Sequence, residues 1–196
     1  MSLKTIPGVF RLTENISANA WVYLAVGAAV LGLVFFVWRR KSAGGRPLAL
    51  KPLLEGLGGD YAVFTDVVVA AQHGMSHIDF VVVSPYGVFV IDAKQERGKI
   101  SGDAGDREWM LGGNQTIYNP LWRNRTHLNG LEKLLGRLPY VSLVVFVNAR
   151  LKSDFGDNVV ELPRMIPFIE RHRQQAVPAE RRREAVRVLE EKQAGK

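Results

Sequence analysis

Hydrophobic and polar positions change their period several times along this chain, and each change marks an element. Residues 20–38 (AWVYLAVGAAVLGLVFFVW) are apolar and uncharged throughout. At about 1.5 Å of rise per residue, a helix of this length approaches the roughly 30 Å hydrocarbon core of a bilayer. The run therefore predicts one transmembrane helix. Trp21, Tyr23 and Trp38 stand near its ends, as interfacial aromatics do, and Arg39, Arg40 and Lys41 follow at once. A cleaved signal peptide would carry its charged region first and a small-residue cleavage site afterwards, which is not the order here. Arg39, Arg40, Lys41, Arg46 and Lys51 outweigh Lys4 and Arg11. The positive-inside rule then places the tail 1–19 outside the cytoplasmic membrane and the larger C-terminal part in the cytoplasm.

Past a basic, glycine-containing linker (39–47), the pattern predicts strands and helices in alternation over 48–160, the α/β (mixed α+β) domain. Residues 48–57 suit a short helix, broken by Pro52 and closed by Gly58-Gly59. Residues 61–64 and 67–69 read as strand material. Residues 78–83 and 88–94 are β-branched and apolar, and Ser84-Pro85-Tyr86-Gly87 supplies turn chemistry between them, so the two form a hairpin. Residues 98–102 turn into a further strand around Trp109. Asn119-Pro120 starts a helix, with Asn as cap and Pro at the first position, carrying Leu121, Leu128, Leu131, Leu134 and Leu135 inward and ending near Gly136. Residues 140–148 (YVSLVVFVN) predict a buried, central strand. Two charged C-terminal helices follow within 161–196, near 165–173 and 178–191, the second with a solvated face.

The hairpin carries three charges where a core belongs. A loop of two or four residues sets Asp79 directly opposite Asp92, and period two puts Asp92 and Lys94 on one face. Opposed side chains lie about 4.5 to 5.5 Å apart at Cβ, where like charges oppose folding. A bridging divalent cation, a shared proton or the Lys94 ammonium would each compensate.

Composition narrows the classes. A hydrophobic content of 47% excludes global disorder, and the absence of cysteine excludes disulfides and thiolate zinc. The net charge of +7 invites a nucleic-acid reading, but residues 164–196 hold nine Lys/Arg against five acids and Arg39, Arg40 and Lys41 add three more. Residues 42–163 come out at −1, so a basic surface there has to be local. Arg181-Arg182-Arg183 alternates with Glu180 and Glu184 and reads as an exposed, ion-paired helix. His73 and His77 read as loop histidines, and Trp109 as a core residue rather than a base-stacking one.

An ordered set of motifs then carries a family likeness. It comprises Tyr61-Ala-Val-Phe-Thr-Asp66-Val, Ile78-Asp79 through Ser84-Pro85-Tyr-Gly87 to Ile91-Asp92-Ala-Lys94, Gly98-x-Ile100-x-Gly102, Trp109, and Asn119-Pro120-Leu121-x-x-Asn124-x-x-His127. This set resembles the NERD (nuclease-related domain) family of the PD-(D/E)xK nuclease superfamily. The resemblance implies a restriction-endonuclease-like mixed sheet flanked by helices and a metal-dependent DNA phosphodiesterase. It implies Asp79, Asp92 and the Ala93 carbonyl as ligands of Mg²⁺ or Mn²⁺, with Lys94 orienting the attacking water or stabilising the phosphorane. On the Asn119 helix, Arg123, Asn124 and His127 become supporting or phosphate-contact residues.

The chain departs from the family pattern at four places. Asp92 stands where glutamate is more frequent, and Phe80 where histidine often follows the Ile-Asp pair. The usual upstream Gly-Glu is replaced by Gly45-Arg46, leaving Glu55 as the nearest glutamate. Arg123 occupies the usual glutamine position. Two functions follow: a membrane-anchored phosphodiesterase acting on DNA, or a non-catalytic membrane-tethered module that binds nucleic acid or a protein. Bilayer lipid along 20–38 and a homodimer or protein partner complete the expected associations. A carboxylate from Glu55, Asp60 or Asp66 beside Asp79 and Asp92 would mark the enzyme. The Arg123 guanidinium inside that cluster would mark the binder.

Overall fold

Three antiparallel strands, β1 (Ala62–Ala71), β2 (Gly74–Ser84) and β3 (Gly87–Ser101), open the sheet. The computed structural model describes residues 50–71 and 74–195, so the predicted membrane segment 20–38 lies outside the described residues. Among the described residues no helix is long and apolar enough to cross a membrane. The β2–β3 register runs from Ser84↔Gly87 to Phe80↔Ile91, which leaves Pro85-Tyr86 as a two-residue loop, the shorter of the two lengths the sequence left open. Ser84 reinforces it by donating from Oγ to the Gly87 carbonyl at 3.0 Å.

The other edge of β3 is filled along most of its length by parallel β6 (Tyr140–Leu151), from Val88↔Tyr140 to Ile100↔Leu151. A hairpin of β4 (Glu108–Leu111) and β5 (Gln115–Tyr118) returns to the far end of β3, pairing Ile100↔Leu111. Since β6 holds one edge throughout, β2 and β4 share the opposite edge of β3. The short β7 (Val159–Glu161) is parallel to β6 and ends the sheet. The sheet is thus mixed. β5 and β7 are additions to the predicted elements, and the two strands expected at 61–64 and 67–69 are one continuous β1.

Helices cover both faces. Short α1 (Lys51–Glu55) and α3 (Met165–Glu170) bury Leu54, Met165, Phe168 and Ile169 against Phe80, Phe89, Ile91 and Leu143. On the opposite face, α2 (Pro120–Leu135) and α4 (Ala179–Ala194) bury Leu131, Leu135, Ala185 and Leu189 against Val81, Val88 and Val90. The charged α4 is therefore amphipathic, with one side in the core. A 3₁₀ turn over Leu162–Arg164 leads into α3.

Asn119 caps α2, its Oδ1 accepting from Leu121 N at 2.9 Å, while its amide donates to the carbonyls of Ala104 (3.0 Å) and Asp106 (2.6 Å). Further along, Gly130 lets the helix touch β1. A Cβ there would lie 2.6 Å from Val69 Cγ2 and 2.8 Å from the Ala70 carbonyl, well inside contact distance. These two anchors fix where the first turns of α2 fall over β3.

Candidate active site

Charged chemistry appears where the ladder of the central hairpin stops. β2 pairs with β3 only as far as Phe80↔Ile91, and β4 takes up the same edge only at Ile100. Between them, residues 92–99 (DAKQERGK) have no strand on that edge.

The reason lies at Asp79. In a regular strand Ile78 and Phe80 share a face. Here Ile78 packs with Val81 and Val83 on the α2 side, whereas Phe80 packs on the other side. β2 turns over at Asp79, and β1 turns over opposite it, at Asp66. That residue adopts φ 51°, a left-handed conformation that aspartate tolerates better than most side chains. The β1–β2 ladder omits this one step, pairing Thr65↔Phe80 and then Val67↔Ile78. The β1–β2 ribbon swings off β3, and a fork opens.

Asp79 closes the crotch of that fork. Its Oδ2 accepts from the Ala93 amide at 2.8 Å, replacing the backbone acceptor that the departing strand no longer supplies. Asp92 is fully buried on the α2 face of β3, with the Lys94 ammonium 3.0 Å from Oδ2 and the Arg123 guanidinium on Oδ1. The Lys94 contact is an ion pair off the line of a hydrogen bond, so Oδ2 has no aligned donor. Lys94 is itself nearly buried, at 11% side-chain exposure, whereas Arg123 is half exposed at 50%.

The two carboxylates are driven apart. Burial, helped by the nearby Asp92 charge, pushes the Asp79 carboxyl up to about 6 against the opposing Ala93 amide and Arg123. Burial would raise Asp92 as well, but the Lys94 and Arg123 cations outweigh it and hold that carboxyl below its ordinary value. The surroundings thus favour the anion at Asp92 and the protonated form at Asp79.

The structure brings together Asp79, Asp92, Ala93, Lys94 and Arg123. Asn124 and His127 stand behind them. Asn124 is fully buried and donates from Nδ2 to the Val90 carbonyl (3.0 Å), Ser142 Oγ (2.9 Å) and the Leu143 carbonyl (3.4 Å), stitching α2 to β3 and β6. Its Oδ1 lies 3.2 Å from His127 Nδ1, and burial pushes the imidazole down to about 4. A neutral, 1% exposed ring bonded to a buried amide aligns the helix and is not open to a solvent-borne phosphate.

Glu96 was not among the expected residues. It lies within the β3 irregularity between Lys94 and Arg97, its charge is felt by Arg123, and its Oε2 is buried without a hydrogen-bond partner. Its spacing of two from Lys94 is the signal that would have found it. Trp109 is fully buried, 4.1 Å from the Phe155 ring, with its indole N–H on the Asp103 carbonyl at 2.8 Å. It is a core residue, as read from the sequence.

A divalent cation does not fit this cluster as it is arranged. Both Asp92 oxygens already face cations, Lys94 at Oδ2 and Arg123 at Oδ1, and the Glu96 carboxylate adds its charge beside Arg123 rather than joining Asp79 and Asp92 in a ligand set. Glu55 pairs with Lys51 (3.5 Å) and Asp60 with Arg182 (3.7 Å), and Asp66, opposite Asp79 across the β1–β2 ladder, lies 3.0 Å from His77. Among the described residues no three His, Asp or Glu side chains gather to hold a metal.

Comparison with known proteins bears on the same stretch. The sequence pattern described as "Nuclease-related domain" matches residues 43–147. The chain is also similar to an uncharacterized protein of Bacillus anthracis, 29% identical over 114 residues, which cover 56% of this chain. The matched region spans about half, 53%, of that relative's length.

Proposed function

The chain belongs to the nuclease-related domain family, and on that premise we propose that it binds nucleic acid through its phosphates without a metal, using Lys94 and Arg123 at the fork. The observation that carries this is the Arg123 guanidinium on the buried Asp92 carboxylate. Only one of its nitrogens is spent there, and the side chain is half exposed. A guanidinium has five donors in a planar fork, so the outer edge remains for a phosphate oxygen while Asp92 fixes its orientation. Anchoring at the cytoplasmic membrane through 20–38 rests on the sequence and confines the search to nucleic acid near the bilayer.

A second reading is hydrolysis of DNA phosphodiesters with Mg²⁺ or Mn²⁺. The half-exposure of Arg123 favours it, because hydrolysis at this site requires the guanidinium to leave Asp92. Incubating plasmid and linear DNA with the full chain in mild detergent, with Mg²⁺, Mn²⁺ or EDTA, separates the two. The binding reading expects intact DNA in every condition. Metal-dependent nicking that Asp92→Ala and Lys94→Ala both abolish, with the fold verified by circular dichroism, would replace it with the enzyme.

A further inference from the structure

Large exposed hydrophobic side chains are few among the described residues, and two of them touch each other. Tyr118, at the end of β5, is 52% exposed, and Trp122, in the first turn of α2, is 43% exposed. Their rings meet edge to face with centroids 6.0 Å apart. An aromatic pair left in water gives up burial that either ring could have contributed to the core, which already takes Trp109 completely.

Three arginines lie close to this pair along the chain or across the hairpin. Trp122 immediately precedes Arg123, the guanidinium of the fork. Arg125 lies at i+3 on the same helix, the spacing at which side chains are neighbours. Arg107 sits across the hairpin base, its carbonyl accepting from Asn119 N at 2.9 Å. Neither Arg107 nor Arg125 has an ion-pair partner among the described residues. Glu108 pairs with Tyr118 across the hairpin, so the cations stand on the helix side of the aromatic pair, at Arg123 and Arg125.

Aromatic rings interleaved with arginines are the arrangement that holds unpaired bases and their backbone together. A duplex offers its phosphates to such a surface but keeps its base faces stacked on one another. We infer that Tyr118 and Trp122 form a stacking platform for an unpaired base whose neighbouring phosphate lies on Arg123. The site then prefers single-stranded nucleic acid, or a frayed end, over intact duplex. This rests on the phosphate-binding reading above and adds the class of strand to it.

The test is fluorescence anisotropy with the full chain, in mild detergent and EDTA. Three labelled probes of equal length are used: a single strand, its duplex, and an abasic strand with the same number of phosphates. The wild type is expected to bind the single strand most tightly. Trp122→Leu keeps the apolar cover without the π face and is expected to lose about tenfold on the single strand, with little change on the duplex or the abasic strand. Trp122→Phe is expected to retain most of the preference. If the wild type binds all three probes alike, or Trp122→Leu matches it on the single strand, the platform is refuted while phosphate binding stands. Failure of the wild type to bind any probe removes both.

Discussion

The turn end and the fork end of the β2–β3 hairpin use the same two strands to opposite ends. From Phe80 to Val83 and from Val88 to Ile91, every residue is 1% exposed or less, every side chain is apolar, and β3 is paired on both edges. One step beyond, at Asp79 and Asp92, the ladder stops, β2 turns over, and the next polar groups are two carboxylates, an ammonium and a guanidinium. The comparison teaches where a sheet can hold chemistry. Continuous pairing satisfies the backbone and leaves only faces to fill with hydrophobes. Interrupted pairing leaves the Ala93 amide in need of an acceptor, and Asp79 reaches it as a side chain. The rigid end positions the charged one.

Breaking the rigid end should have the largest effect. Phe89→Ala removes a fully buried ring between α3 and the sheet and is expected to cost about 3 to 5 kcal/mol in urea denaturation. Nucleic-acid binding should be lost with the fold, at the same urea concentration.

The fork end should respond differently because its charges support one another. Lys94→Met leaves the buried Asp92 with only the half-exposed Arg123 and is expected to cost about 2 kcal/mol. Adding Asp92→Asn should restore a good part of that loss, since the stranded charge is then gone. Equal, additive losses in the two single variants would mean that the pair is not coupled.

Protonation sharpens the contrast further. Asp79, raised to about 6 by burial, binds its proton more tightly in the folded chain than in the unfolded one. Its contribution to stability is therefore complete below about pH 4 and is lost as pH rises through 6. His127, lowered to about 4, works in reverse, with its contribution complete above about pH 6.5 and lost as pH falls towards 4. The two oppose each other across the same window and flatten the profile of the wild type. Asp79→Asn retains an acceptor for the Ala93 amide and is expected to raise stability at pH 8 by roughly 1 to 3 kcal/mol. It should give no gain at pH 4 and should expose a steep acid loss below pH 6.5. Chemical denaturation at a series of pH values reads all three features.

Arg123→Gln should be the mildest change to the fold, within about 1 kcal/mol, because the side chain is half exposed and Lys94 still faces Asp92. A larger destabilisation would make Arg123 a structural plug rather than a binding group.

Much of this arrangement was legible beforehand, and the exceptions share a cause. Counting across a loop of two or four residues set Asp79 against Asp92, whereas the ladder stops one step short of that pair and Asp79 bonds the Ala93 amide instead. Asn119-Pro120 announced the helix that carries Arg123. Whether Arg123 entered the cluster was not readable, because that depends on how Asn119 and Gly130 seat α2 over β3. The exposure of Trp122 was hidden for the same reason. β3 runs past Gly98 to Ser101 since β6 pairs with it there, a tertiary contact that overrides the local turn signal. β7 has only three residues and no period to detect. The reversal of β2 falls at Asp79, the one poor strand former in the run, and a lone Asp does not by itself tell a reversal from a charge on a regular strand.

The most direct test of phosphate binding by Arg123 is the affinity of the full chain for labelled single-stranded DNA in EDTA, for the wild type and for Arg123→Gln. The account predicts binding that Mg²⁺ does not tighten and that the substitution weakens about tenfold, as loss of a charge-assisted phosphate contact does. Binding that appears only with Mg²⁺ or Mn²⁺, or is as tight with glutamine at 123, would contradict it.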